Sequence, residues 1–176
     1  KPRSKPFRYV YASACVTLWI AGISVRAAAD EWNCAAIFPE ASGTFQCTTD
    51  CTMTSAGVSL TGDMSITGDS AITTITAKTG GGRHFNLTSG NNHTLTLRWL
   101  NLTGGNGEYS GGSIYVGSGS TLHATYCAFI ANHASGGGGC LFGNSGSSIQ
   151  LFHSNVTDNT ALKRGGALWS MEGSVR

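Results

Sequence analysis

The chain has 176 residues, 40% of them hydrophobic and only 11% charged, with 25 glycines and a formal net charge of +2. This length suggests one domain or at most two, and the hydrophobic content is too high for a disordered chain, so an all-β protein with many tight turns is expected. From Asp30 onward, six basic and nine acidic residues give a net charge of −3, which removes any electrostatic reason to bind nucleic acid.

The N-terminal segment 1–29 has the pattern of an export signal. Positions 1–8 are basic, positions 9–25 form an uncharged apolar run, and Ala27-Ala28-Ala29 offers an A-x-A cleavage site. Because a run of this length is at the short limit for a membrane span, a cleaved signal peptide is favoured over an uncleaved anchor. We therefore expect a secreted or cell-surface protein, extracellular or in an outer membrane. It would touch a membrane only through this segment or through parts beyond Arg176.

Five cysteines follow the signal, at Cys34, Cys47, Cys51, Cys127 and Cys140. An exported chain meets oxidising conditions, so disulfides are expected, although the spacing leaves their pairing open. The odd number leaves one thiol unpaired or paired outside this sequence. Cys47 and Cys51 have the spacing of half a metal site, but no second Cys or His pair follows at zinc-ligand spacing. We therefore expect no metal and no cofactor.

The most informative signal in the rest of the chain is an internal repeat with a 27-residue period. Two glycines, a variable residue, an aliphatic residue and an aromatic residue recur at 111–115, 138–142 and 165–169. Four further columns keep this spacing: Leu95, Leu122 and Ile149; Leu97, Ala124 and Leu151; Leu102, Phe129 and Val156; Gly119, Gly146 and Gly173. Apolar residues alternate within each repeat, which indicates half-buried strands, and glycine-rich stretches separate the strands as turns.

This pattern predicts an all-β chain folded as a right-handed parallel β-helix, a solenoid in which each rung corresponds to one 27-residue repeat. A single rung cannot bury its apolar face, so rungs must stack, pair their strands and share one core. We expect rungs over residues 57–176, irregular over 57–93. A cysteine-containing cap over 30–56 is expected to cover the open first rung.

The two ends of the repeat carry separate expectations. At the start, Phe85 and Leu87 lie one repeat before Gly112 and Ile114 and are expected to stack beneath them. At the end, a fourth regular rung begins at Gly173 and stops. Because an uncapped rung exposes unpaired strand edges, the natural protein is expected to continue.

Two short motifs alternate along the repeats. Phe129-Ile130-Ala131-Asn132 and Gly165-Gly166-Ala167-Leu168 match FxxN and GGA-[ILV], and over residues 57–176 the chain resembles the polymorphic outer-membrane proteins of chlamydiae. It departs from those motifs at Val156, where an aromatic residue is usual, and at Ser113 and Cys140, where alanine is usual. The resemblance implies a surface-exposed β-helical passenger implicated in adhesion, within the broader pectin-lyase-like fold.

The recurring polar and glycine positions of the repeat have a structural interpretation. Glycines supply tight turns, and an asparagine that follows a strand adopts left-handed conformations and bonds along the ladder. The structural positions of the repeat are the glycine pairs, the asparagines and the phenylalanine of the FxxN motif. They are Gly111, Gly112, Gly138, Gly139, Gly165, Gly166, Phe129, Asn132 and Asn159.

Tyr115, Phe142 and Trp169 form an aromatic column. The column is either a platform on which sugars stack or a ring stack that stabilises the coil, and the sequence does not decide whether it faces inward or outward. The structural interpretation is favoured, because the neighbouring column that contains Ile114 is equally apolar.

Four Asn-x-Thr sequons, at Asn86, Asn92, Asn101 and Asn155, are candidate N-glycosylation sites. Asn-x-Thr also suits outward strand positions by chance. Asn101 and Asn155 share a column two rungs apart, as an outward-facing site would.

No catalytic residue is predicted. Lyases and hydrolases of this fold need carboxylates gathered on adjacent rungs, and at this repeat length no acid lies over another; Asp69, for instance, falls opposite Thr96 and Glu172 opposite Ser145. We expect a non-enzymatic β-helix that acts in adhesion or surface structure, with cell-surface glycans or proteins as partners. The alternative is the N-terminal part of a polysaccharide lyase or hydrolase whose active site lies outside this segment.

Overall fold

The computed structural model describes residues 30–31, 34, 42–69 and 72–176, and the predicted export signal lies outside these residues. The described residues form twenty short strands and no helix, stacked as a parallel β-solenoid of about five turns. None of them therefore belongs to a helix that could span a membrane. The all-β solenoid predicted from the repeat is confirmed.

Four parallel sheets run along the solenoid, and each strand pairs with its equivalents on the neighbouring rungs. Sheet A contains β1 (Asp30–Glu31), β2 (Gly43–Cys47), β5 (Met64–Gly68), β8 (Thr94–Arg98), β12 (Thr121–Thr125), β16 (Ser148–Phe152) and β20 (Ser174–Val175). Sheet B contains β3 (Cys51–Thr52), β6 (Thr73–Thr76), β9 (Leu100–Thr103), β13 (Ala128–Ile130) and β17 (Asn155–Thr157). Sheet C contains β4 (Val58–Ser59), β7 (Phe85–Leu87), β11 (Ile114–Val116), β15 (Leu141–Gly143) and β19 (Leu168–Ser170). Sheet D contains β10 (Asn106–Gly107), β14 (His133–Ala134) and β18 (Thr160–Ala161).

The 27-residue period is the pairing register of the regular rungs, as predicted. The paired columns include Leu95, Leu122 and Ile149 in sheet A; Leu102, Phe129 and Val156 in sheet B; and Ile114, Leu141 and Leu168 in sheet C. Like side chains therefore lie above like, and one core runs along the solenoid axis. Each fully buried aliphatic side chain in it contributes about 1.5–3 kcal/mol.

The register of the first rungs differs, and the expected position of Phe85 beneath Gly112 is wrong. Phe85 pairs with Ile114, and Leu87 pairs with Val116. The connection from β6 to β7 is two residues shorter than that from β9 to β11, which shifts the register at β7. The turn from β7 to β8 has six residues where that from β11 to β12 has four, which restores the register at β8. A shift of two residues keeps every side chain on its original face of the sheet, so the apolar alternation does not reveal it.

Parallel pairing begins before residue 57. Strand β2 pairs with β5, and β3 pairs with β6, so the segment predicted as a cap contributes strands to sheets A and B. Strand β1 lies beyond β2 at the outer edge of sheet A.

Candidate functional site

The paired glycines of the repeat lie where the chain enters sheet C. The first glycine of each pair has a positive φ: Gly111 (68°), Gly138 (63°) and Gly165 (53°). The second lies against the next rung, because a Cβ on Gly112 would overlap the carbonyl oxygen of Gly139, and one on Gly139 would overlap that of Gly166. Both positions need glycine for the shape of the coil, so neither supplies a functional group.

The motif asparagines connect one rung to the next. Asn132 is only 1% exposed, and its Oδ1 accepts a hydrogen bond from the Gly105 backbone N–H at 2.8 Å. Its amide donates to the carbonyl oxygens of Leu102 and Ile130 at 3.1 and 3.2 Å. Asn159 repeats the arrangement one rung later, since its Oδ1 accepts from the Asn132 backbone N–H at 2.9 Å. The asparagines therefore bond along the ladder, as expected.

The left-handed backbone, however, does not lie at the asparagines themselves. It lies one residue earlier, at Ala131 and Asp158, with φ values of 53° and 55°. This places the bend before the asparagine, so that the extended side chain can reach back to the carbonyl groups of its own rung and the rung below. The expectation of left-handed asparagines is therefore wrong.

The aromatic column lies on the outer surface of sheet C. Tyr115 stacks on Phe142 with ring centroids 5.1 Å apart, and Phe142 meets the edge of Trp169 at 5.2 Å. The guanidinium of Arg83 lies 5.3 Å from the Tyr115 ring centre, and that of Arg164 lies 5.3 Å from the Trp169 ring centre. The ring faces are thus largely occupied by other rings and by cations, which favours the structural interpretation over a sugar platform.

A second column of rings was not predicted, although its regular spacing is visible in the sequence. Trp99, Tyr126 and His153 stack along the bend between sheets A and B, with centroids 6.4 and 5.1 Å apart. All three have φ between 48° and 55°, which turns the chain sharply and directs the side chains outward. Arg98 covers the end of the stack, 4.0 Å from the Trp99 ring centre.

His84 is a buried polar residue that no motif indicated. Its Nε2 lies 3.1 Å from the Ile75 carbonyl oxygen, which can only accept, so Nε2 carries the proton. Its Nδ1 then accepts from the Ser113 hydroxyl at 3.0 Å. Burial lowers the pKa of His84 to about 4, although the hydrogen bond to Ile75 opposes this. The side chain is therefore neutral near pH 7 and acts as a core residue.

Among the residues that the structure describes, the cysteines form one disulfide and three free thiols. Cys34 and Cys51 are bonded, which ties the segment after β1 to β3, whereas Cys47, Cys127 and Cys140 are free and buried. Burial raises the pKa of Cys127 to about 11 and raises that of Cys140 further. These thiols are therefore protonated near neutral pH and are poor nucleophiles and poor metal ligands.

The four sequon asparagines differ in accessibility. Asn92 and Asn155 are exposed, whereas Asn86 and Asn101 are half-buried on the outer faces of β7 and β9. Asn101 and Asn155 share a column through Ala128, as the register predicted.

Several carboxylates bond to groups on the adjacent rung. Asp63 Oδ1 accepts from the Thr94 backbone N–H at 2.8 Å, and Glu172 accepts from the Ser145 hydroxyl at 3.2 Å. Asp69 does not lie opposite Thr96 as expected, because Thr96 pairs with Ser65. In the part of the chain that the structure describes, no group of three or more His, Cys, Asp or Glu side chains is placed to hold a metal ion.

A cleft of about 500 Å³ opens between sheets C and D at the irregular rungs. The connection from β6 to β7 has eight residues, whereas the equivalent connection from β9 to β11, which contains β10, has ten. The shorter connection, through Gly80, Gly81 and Gly82, leaves a gap beneath the longer one. Two backbone hydrogen bonds between Gly82 and Asn106, at 2.8 and 3.0 Å, join the two connections at the edge of this gap.

Polar side chains and one exposed ring line this cleft. Arg83 and Asn86 lie on its lower wall, and Asn106, Glu108 and Tyr109 belong to the longer connection above it. Desolvation lowers the pKa of Arg83, and the nearby Tyr115 and Glu108 oppose this effect. The cleft is the candidate binding site, since it combines an exposed ring with hydrogen-bond donors and acceptors.

No protein-family model, no curated protein and no solved structure matches the chain. The repeat motifs and the stacked register define it as a parallel β-solenoid.

Proposed function

We propose that this protein is a non-enzymatic, secreted or cell-surface β-helix that acts in adhesion or surface structure. The observation that carries the proposal is that its polar side chains form hydrogen bonds within and between rungs. Asn132 and Asn159 satisfy backbone groups, and Asp63 and Glu172 bond to the adjacent rung. Side chains committed to stacking suit a rigid scaffold that presents an extended surface.

The motif resemblance to the polymorphic outer-membrane proteins of chlamydiae, and to the pectin-lyase-like fold more broadly, supports the same proposal. The apolar run at residues 9–25 supports export. Cell-surface glycans or proteins are the proposed partners, and no cofactor is required.

The test uses the full chain, purified after secretion, in two assays. Saturable binding to cultured cells, without release of reducing ends or unsaturated products from a panel of polysaccharides, is the expected result. Depolymerisation of any polysaccharide would contradict the proposal and favour the alternative of a lyase or hydrolase.

A further inference from the structure

The cleft above the three consecutive glycines has the size of a ligand site. Its volume of about 500 Å³ lies within the range of about 300–1,000 Å³ that is usual for small-molecule sites. Its walls come from consecutive rungs, through Ser59, Asn86 and Tyr109, so the paired sheets hold one side of the cleft rigid.

Tyr109 differs from the other aromatic residues of the outer surface. It is 77% exposed, whereas Phe142 is only 5% exposed beneath its neighbouring rings. No ring or cation among the described residues covers Tyr109. Its ring therefore offers a flat apolar surface at the entrance of the cleft, of the kind against which the C–H face of a sugar packs.

Arg83 supplies unused hydrogen-bond donors. Its guanidinium packs over Tyr115 and is partly buried, and no described residue accepts a hydrogen bond from it. The amides of Asn86 and Asn106 add donors and acceptors, and the carboxylate of Glu108 adds acceptors. A ligand with many hydroxyl groups, each able to donate and accept, matches this set.

The charges of the cleft decide which kind of polyhydroxyl ligand fits. Arg83 and Glu108 carry opposite charges and sum to zero, and they interact electrostatically. A ligand carboxylate would be attracted to Arg83 but repelled by Glu108. A cationic ligand would be attracted to Glu108 but repelled by Arg83. An uncharged ligand can bond to both side chains without like-charge repulsion from either.

We propose that this cleft binds a neutral oligosaccharide, with one sugar ring packed on Tyr109 and its hydroxyls bonded to Arg83, Asn86 and Glu108. This inference rests on the proposed function in adhesion, for which it names the ligand class and the site. The aromatic column at Tyr115 then acts as support for Arg83 and does not contact the sugar.

The test is isothermal titration calorimetry of the full chain with neutral and with uronic-acid oligosaccharides of equal length. Neutral oligosaccharides are expected to bind, and Tyr109→Ala is expected to weaken binding about tenfold. Tyr126→Ala is the matched control, since Tyr126 is also exposed (43%) but lies on the bend between sheets A and B. It should leave the affinity unchanged.

A charge variant tests the selectivity. Glu108→Gln removes the repulsion of carboxylates, so the variant should bind uronic-acid oligosaccharides more tightly than the wild type does. Preference of the wild type for acidic ligands, or loss of binding in Tyr126→Ala but not in Tyr109→Ala, would overturn the inference.

The same variants separate this inference from the proposed function. If the protein binds cells but no neutral oligosaccharide, the inference fails and adhesion stands. If it binds neutral oligosaccharides in the cleft and also cleaves them, the site stands and the non-enzymatic function fails. Absence of both cell binding and oligosaccharide binding contradicts both.

Discussion

Single buried polar side chains hold neighbouring rungs together in this solenoid. Asn132 satisfies the Gly105 N–H and two carbonyl groups, and His84 connects the Ile75 carbonyl to the Ser113 hydroxyl. Each is almost fully enclosed, so its partners cannot turn to water if it is removed. The stability of the stack should therefore be sensitive to these two positions.

We expect Asn132→Ala to lower the free energy of unfolding by about 3 kcal/mol, because it leaves buried backbone groups without partners, at about 1–3 kcal/mol each. Urea denaturation measures the change. Asn155→Ala is the control: its side chain is exposed, and the substitution should change stability by less than about 0.5 kcal/mol. Equal losses in the two variants would contradict the capping role.

His84 should make stability depend on pH. Its pKa is lowered to about 4 in the folded protein, compared with about 6.5 in an unfolded chain. Between these values the unfolded chain binds a proton that the folded protein does not. The free energy of unfolding should therefore fall by about 3 kcal/mol as the pH drops from 6.5 to 4.

The measurement compares urea unfolding of the wild type and His84→Asn at several pH values. Carboxylates titrate in both proteins, so the difference between the two free energies isolates the contribution of His84. That difference should shrink or change sign toward pH 4. A difference that is independent of pH would show that His84 is not the titrating group.

At the scale of the strand and turn, close contact between the backbones of neighbouring rungs determines where a glycine cannot be replaced. A Cβ on Gly139 would overlap the carbonyl oxygens of Gly166 and Thr160 on the next rung. Gly112 is enclosed in the same way by the carbonyl oxygens of Gly139 and His133. This motif position inside the stack should therefore accept only glycine.

Gly139→Ala should lower stability by about 2–3 kcal/mol, since the added methyl forces β15 away from the next rung. Asn155→Ala is the control, since its side chain is exposed, and it should be tolerated. Thermal unfolding followed by far-ultraviolet circular dichroism compares the two variants. An equally stable Gly139→Ala would mean that the connection into sheet C moves apart freely, contrary to the close packing.

At the scale of the whole molecule, each strand pairs only with its equivalents on adjacent rungs, so damage should stay local. The Cys34–Cys51 disulfide closes a segment with a sequence separation of 17 at the first rung. We expect the double variant Cys34→Ala, Cys51→Ala to destabilise that end by about 3 kcal/mol. Hydrogen exchange should rise in β2 and β5 and stay unchanged in β12 and β16. A uniform rise along the chain would indicate that the solenoid unfolds as one unit.

The architecture and regular register were predictable because both are one-dimensional properties of the chain. A fixed repeat period and apolar alternation place Leu95, Leu122 and Ile149 in one column without knowledge of any contact. The turn at the first glycine of each pair and the bonding of Asn132 along the ladder followed from the same columns. The close approach of rungs at the second glycine, and the left-handed residue before Asn132, did not.

The sequence by itself thus determined a stacked all-β solenoid and which residues share a column. Only the tertiary structure decided the positions that depend on turn length. The connection before β7 is two residues shorter than its equivalent, and the turn after β7 is two residues longer, which places His84 against Ser113. This even shift leaves the alternation of apolar residues unchanged. Likewise, the cleft beside Arg83 and Tyr109 exists because one connection is two residues shorter than the next. The length of a turn changes which side chains of neighbouring rungs meet, but it leaves the apolar alternation within the strands unchanged. The sequence pattern therefore could not predict this site.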